Sequence, residues 1–269
     1  MTSLIGPLRP LKVASVSGEA LGLVHTSTSD TPPLSPPPNG VEILPSESRL
    51  KRMRQGVITS ARLHDEDCQR GGYRTFAAMV TLTYAPGSDY SARHVTEYLK
   101  RARQWLKRRG HSSRYVWVLE LTKAGRPHYH VLWWLPRGVR LPKPDKAGWW
   151  PHGSSKIEGA RRPVGYLAKY ASKLAGDAQG ALKDEARGLP KGARMHGVGG
   201  LTASSAQERR WWLSPVWVKR SWPTFDSDVR PAPGGGWCSR AHGEWKSSPW
   251  RVLIVGGRIF AVPALSPRE

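Results

Sequence analysis

A chain of 269 residues with 39% hydrophobic content can bury a sizeable core in one or two domains, which excludes a wholly disordered protein. Its formal charge of +22 and pI near 10.6 call for a polyanionic partner. No apolar run reaches the roughly 18 residues that a spanning helix needs, and Cys68 and Cys238, the two cysteines, lie too far apart to suggest a disulfide framework or a cysteine zinc site.

Residues 1–45 are rich in Pro, Ser, Thr and Gly around Pro32-Pro33-Leu34-Ser35-Pro36-Pro37-Pro38, and read as a disordered or polyproline II arm. This arm holds Arg9 and Lys12 against Glu19, Asp30 and Glu42, so the basicity belongs to the body of the chain. Nucleic acid is the default partner for such a body. An acidic membrane surface competes, but no separate basic amphipathic anchor stands out. The N-terminus lacks a basic stretch followed by an apolar core and a small-residue cleavage site, so no secretory signal is read and a reducing cytoplasm is expected.

Arg49-Leu50-Lys51-Arg52-Met53-Arg54 is a basic run with room for a short helix, either touching a nucleic-acid backbone or simply solvated. Thr75 to Tyr84 reads as a buried strand, closed by Ala85-Pro86-Gly87. Ser91 can cap a helix running to about Arg109, with Gly110 as its stop and Val95, Tyr98, Leu99, Ala102, Trp105 and Leu106 as its core stripe.

The next stretch carries the chemistry. Residues 115–121 and 128–135 suit two strands joined by a turn at Ala124-Gly125-Arg126-Pro127. Residues two apart in a strand share a face, so His128 and His130 present two imidazoles side by side, and the hairpin can bring the Glu120 carboxylate to them. Two imidazoles and a carboxylate leave positions open for water and substrate, as a catalytic metal needs. Taken alone, His-x-His is as well explained by two surface histidines.

Residues 137–162 form a basic Gly/Pro loop expected to hold a short hairpin. Trp149 and Trp150 in it suit either base stacking or core packing, and His152 is either a further polar group of the site or structural. Pro163 fits the first turn of a helix in which Val164, Leu167, Ala168, Ala171 and Leu174 form one buried face. At 100° per residue, Tyr166, Lys169, Tyr170 and Lys173 cluster on the other face.

Together these motifs resemble the HUH endonucleases, and within them the two-tyrosine rolling-circle replication initiators of filamentous phages and related plasmids. The resemblance rests on His128-Tyr129-His130, on Tyr166-Leu167-Ala168-Lys169-Tyr170, and on Met79-Val80-Thr81-Leu82-Thr83-Tyr84-Ala85-Pro86, which looks like the family's first motif. It covers roughly residues 75–175. It implies Mg²⁺ or Mn²⁺ held by His128, His130 and Glu120, with Glu120 resting on its strand position. It implies Tyr170 and Tyr166 as nucleophiles with Lys173 and Lys169 beside them. The implied activity is nicking and rejoining of single-stranded DNA at a replication origin through a 5′-phosphotyrosine, in a bacterial host whose helicase and polymerase would act with the protein. A transposase or relaxase of the same superfamily, and a non-catalytic single-stranded nucleic-acid-binding module, are the alternatives.

The element order strand, helix, strand, strand, helix predicts an α+β fold, an antiparallel sheet with helices on one face in a split βαβ arrangement. The resemblance adds about five strands in an RRM-like palm, the metal site on the open face, and an endonuclease domain over residues 46–222. After the tyrosine helix, Gly188 to Gly200 reads as loop and Ala203 to Leu213 as helix, with Trp211, Trp212, Trp217 and Trp222 expected to pack onto the endonuclease domain. In a C-terminal extension over residues 223–269, Trp250 to Val255 and Arg258 to Val262 flank Gly256-Gly257, a hairpin signal. No Gly-x4-Gly-Lys-Ser/Thr occurs, so no nucleotide cofactor is expected.

Overall fold

In the computed structural model the described residues are 36–72, 74–122, 124–175, 189, 190 and 192–264, the side chains of 173–175 excepted. The centre is a five-stranded antiparallel sheet in the order β5-β2-β4-β3-β6. Its strands are β2 (Thr75–Tyr84), β3 (Arg114–Leu121), β4 (Pro127–Pro136), β5 (Gly153–Gly159) and β6 (His196–Gly199). The α+β class and the five antiparallel strands agree with the sequence reading.

The strand alternation divides the sheet into two faces. Ala78, Val80, Leu82, Tyr115, Trp117, Leu119, Tyr129, Val131 and Trp133 point to one, where α2 (Ala92–Lys107) lays Val95, Tyr98, Leu99, Ala102 and Leu106 on them. Ser91 accepts a hydrogen bond from the Arg93 amide and caps this helix as its sequence predicts. Met79, Val116, Val118, Leu132 and Trp134 point the other way, against α1 (Pro45–Arg70) and α3 (Pro163–Ala175). Helices expected on one face therefore cover both. With side chains of both parities apolar at the sheet centre, a single helical layer would leave one face wet.

Helix α1 runs for 26 residues where the sequence marked only the basic run at 49–54. Its buried stripe is Leu50, Met53, Val57, Ser60, Ala61, His64 and Cys68. Gly56 lies on that side because His196 and Arg209 approach there: a Cβ at position 56 would stand 3.2 Å from each of them.

Two further expectations are corrected. The loop 137–162 contributes one strand, β5, that pairs along β2 from Tyr84↔Gly153 to Ala78↔Gly159, instead of a hairpin of its own. The stretch 188–200, of which 188 and 191 lie outside the described residues, forms β6 over its last third. Tyr115 and Trp117 lie flat across β6, and Gly197 and Gly199 leave them the space, since a Cβ at either would come within 2.4 Å of the ring. A Gly-rich strand reads as a loop because its packing partners come from another strand.

Beyond the sheet, α4 (Ala203–Trp212) is capped by Thr202 and docks on α1, where the Ser205 hydroxyl donates to Asp67 at 2.7 Å and Arg209 Nε donates to Ser60 Oγ at 2.6 Å. Helix α5 (Val216–Ser221) follows. Trp211, Trp217 and Trp222, expected on the endonuclease domain, build a small core of their own with Val218, Val229 and Trp237; Trp212 reaches α1, under the Arg62 guanidinium. The C-terminal strands β10 (Trp250–Val255) and β11 (Arg258–Pro263) pair across Gly256-Gly257, whose φ values of 56° and 74° are those of a primed two-residue turn. Strand β1 (Val41–Ile43) pairs with β11. The arm expected over residues 1–45 lies outside the described residues up to 35, and its end is strand, because β11 offers an open edge. No helix among the described residues is long and apolar enough to cross a membrane.

His64 in α1 is fully buried against Trp134. Burial, assisted by the Arg114 guanidinium, pulls its pKa down to about 4. The unfolded chain binds this proton near pH 6.5 and the folded chain refuses it, so the His64 contribution to stability is complete above pH 6.5 and is lost as pH falls from 6.5 towards 4. At 1.36 kcal/mol per pKa unit that loss is about 3 kcal/mol. His196, also brought to about 4 by burial and by Arg209, acts in the same direction. The urea midpoint should therefore fall steeply over this window, and His64→Leu should flatten the slope; a wild-type midpoint independent of pH would rule the effect out.

Candidate metal centre and tyrosine helix

The hairpin β3–β4 carries the first group. Its turn closes with the Thr122 amide donating to the Arg126 carbonyl and the Gly125 amide to the Thr122 carbonyl, both at 2.8 Å, and Gly125 takes the φ of 71° that the turn requires. This register sets Glu120 directly opposite His128. On the other side of β4, Thr83 lies opposite His128 and Thr81 opposite His130. Strand β5 extends the two rows with Ser154 and Lys156. One face of the sheet thus carries a row Ser154, Thr83, His128, Glu120 and beside it a row Lys156, Thr81, His130, Val118.

The three candidate metal ligands converge. His130 Nε2 lies 2.7 Å from Glu120 Oε2 and 2.9 Å from His128 Nε2, and His128 Nε2 lies 4.0 Å from the same carboxylate oxygen. All three ligand atoms fall within 4.8 Å of one another. Ligands about 2.1 Å from one octahedral cation stand about 3–4 Å apart, so the set fits such an ion. The donor chemistry, two imidazoles and one carboxylate, suits a divalent ion with positions left open. His130 is nearly closed off, with 4% of its side chain exposed, whereas 20% of His128 faces outward, so the centre opens on the His128 side.

Helix α3 supplies the second group. Leu167 and Ala171 are buried in the α1 side of the core, with Val164 beside them, and this fixes the rotation of the helix. The Tyr170 ring then stacks on the His130 imidazole with centroids 3.6 Å apart and planes 16° from parallel. Tyr166, one turn earlier, is 41% exposed, and Lys169 is exposed. The two tyrosines, read as one outward face, are divided by the packing: Tyr170 turns in to the candidate metal ligands and Tyr166 stays at the surface. The side chain of Lys173 lies outside the described residues.

One charged neighbour was not legible in the sequence. Lys156, on the edge strand β5, shares a row with Thr81 and His130, and its ammonium pairs with Glu158 at 2.7 Å. Its pKa is raised, first by the hydrogen bond to Glu158 and, among smaller causes, by the phenols of Tyr170 and Tyr166. No sequence signal could find it, since its place depends on β5 pairing with β2.

The other candidates are elsewhere. Trp150 is fully buried on the α2 face, its ring edge against Tyr84 and its Nε1 donating to the Thr83 carbonyl at 3.2 Å; packing is its role. Trp149 sets its edge against Trp105. His152 stacks on His94 at 3.5 Å beside Tyr84, away from the candidate metal ligands. There burial, then the His94 charge, holds its pKa below the ordinary histidine value.

No curated protein and no solved structure matches this chain. Residues 77–175 match the model of a family of replication-associated proteins of the ORF2 type. The match covers less than half of the chain, from β2 through α3, and so includes Glu120, His128, His130, Tyr166 and Tyr170. It supports a role in replication initiation.

Proposed function

We propose that this chain is a metal-dependent DNA strand transferase that starts rolling-circle replication, nicking and rejoining single-stranded DNA at an origin through a tyrosine. The observation that carries the reading is the Tyr170 ring lying on His130, within the cluster of Glu120, His128 and His130. A nucleophile helix so close to a candidate divalent centre is what phosphoryl transfer by a side chain needs.

In this reading Glu120, His128 and His130 hold Mg²⁺ or Mn²⁺. The bound ion supplies charge withdrawal from a non-bridging oxygen of the scissile phosphate. Tyr170 gives up its phenolic proton to solvent, and its oxygen attacks phosphorus in line. The bond from phosphorus to the 3′ oxygen breaks, and that oxygen takes up a proton. A 5′-phosphotyrosine and a free 3′-hydroxyl result. The ammonium groups of Lys156, Lys169 and Lys173 favour the ionised phenol and the phosphate, because each offsets negative charge. Attack by a 3′-hydroxyl on the phosphotyrosine runs the step backwards, so rejoining needs no nucleotide cofactor. Tyr166, at the surface one turn away, serves a second cleavage while Tyr170 still carries DNA. A host polymerase would extend the 3′-hydroxyl, and a host helicase would open the duplex ahead of it.

The family match favours replication over transposition or conjugative transfer. The burial of Trp150 weakens a module that only stacks bases, because one of its best platforms is core. Incubation with single-stranded origin oligonucleotides and Mn²⁺ should give a slow-migrating adduct on a denaturing gel, and EDTA should remove it. Binding without adduct on a substrate known to contain the origin would instead support the binding module.

A further inference from the structure

The first of the three motifs, on β2, makes a specific contact with the candidate metal ligands. Thr81 Oγ1 lies 3.3 Å from His130 Nδ1, and Thr83 Oγ1 lies 3.4 Å from His128 Nδ1. The two contacts are one arrangement repeated two residues along, since Thr81 pairs with His130 and Thr83 with His128 in the β2–β4 register. Both rings accordingly turn Nδ1 to β2 and Nε2 to each other and to Glu120. The backbone ladder and the apolar neighbours Met79, Val80 and Leu82 already hold β2 in the sheet, so neither hydroxyl is needed for the strand.

A neutral imidazole carries one proton, and the nitrogen that binds a cation must be the other one. Two tautomers compete at this centre. With the proton on Nε2, His130 donates to Glu120 across their 2.7 Å contact, and that hydrogen bond ties up both ligand atoms. With the proton on Nδ1, both Nε2 lone pairs and the carboxylate face one point. Only the second state receives a cation, and an oxygen acceptor at Nδ1 is what favours it.

We propose that Thr81 and Thr83 are positioning residues of this centre: each hydroxyl oxygen accepts the Nδ1–H of its imidazole, and so holds His130 and His128 in the tautomer and ring orientation that direct Nε2 to a divalent cation shared with Glu120. This inference rests on the metal reading of the three ligands given above. Its content is that the first motif acts through the second, as an acceptor pair and not as a packing element. The residue type follows: serine can replace threonine, and valine, of the same shape but without an acceptor, cannot.

The test is Mn²⁺ affinity of the full chain, read from free Mn²⁺ by electron paramagnetic resonance, for wild type, Thr81→Val, Thr83→Val, Thr81→Ser and Thr83→Ser. A thermal melt accompanies each. Loss of an outer-shell acceptor typically weakens binding by 10–100-fold. Each valine variant should bind about that much more weakly with an unchanged melt, and each serine variant should stay within a few-fold of wild type. Valine variants that bind as wild type does would overturn the proposal. So would serine variants as weak as the valine ones, since the methyl group and not the acceptor would then be what matters. If wild type shows no saturable site while its fold is intact, the metal reading itself fails and this inference falls with it.

Discussion

Changing Tyr166 and Tyr170 together to Phe is expected to abolish the covalent protein–DNA adduct while leaving the fold and binding of single-stranded DNA intact. Phe keeps the ring that stacks on His130, so the loss reports on the phenolic oxygen and not on packing. The single variants should separate. Tyr170→Phe removes the oxygen carried on the ring that lies against the candidate metal ligands, and first cleavage should fall by at least about 10³-fold, the scale on which losing a nucleophile acts. Tyr166→Phe leaves that ring in place, and first cleavage should survive while a second cleavage on a regenerated origin is lost. Denaturing gels with one end-labelled oligonucleotide, then with a two-origin substrate, read the two steps. Full adduct formation by the double variant would remove the tyrosine mechanism altogether, and an inactive Tyr166→Phe beside an active Tyr170→Phe would exchange the roles.

The second large effect is on stability. Trp133→Ala should destabilise the chain by about 3–5 kcal/mol, the usual range for truncating a buried tryptophan. The indole is fully buried at the centre of β4, its ring 4.8 Å from that of Tyr115, and its Nε1 donates to the Tyr98 hydroxyl at 3.1 Å. Truncation opens a cavity between the sheet and α2 and leaves that hydroxyl, also buried, without its donor. Domains are stable by about 5–15 kcal/mol, so this one change should consume a large part of the total. Urea unfolding followed by circular dichroism measures it, and a loss under 1 kcal/mol would mean that α2 closes onto the sheet after truncation. Since Trp133 points away from the candidate metal ligands, adduct formation under folding conditions should persist at low temperature. His130→Ala, one register row beyond, should show the opposite pattern.

Several elements were legible in the chain itself. The β3–β4 hairpin, α2 with its Ser91 cap, α3 and the C-terminal hairpin all follow from local chemistry: side chains that alternate by two or by three and four, a capping hydroxyl, and glycines where the turn needs positive φ. Two-residue spacing put His128 and His130 on one face, and hairpin register brought Glu120 to them, because the turn lies within a dozen residues of every ligand. Helix α1 was missed over most of its length because Gly56, Ser60 and His64 interrupt its apolar stripe. Those residues are buried for reasons that lie outside the helix, in His196, Arg209 and Trp134.

The amino-acid sequence by itself determined the secondary structure of the central motifs, the make-up of the candidate metal-ligand set and the strong positive charge, since each depends on neighbours a few residues away. Tertiary structure alone decided which strand closes the sheet beside β2, that helices cover both faces, that Trp150 is core, and that Tyr170 and not Tyr166 lies on His130. It also decided that Thr81 and Thr83 meet His130 and His128, partners 49 and 45 residues away. The physical reason is common to all of them. Pairing between distant strands and the rotation of a helix on a sheet are set by how whole faces bury their apolar area, and no short window of sequence contains both faces.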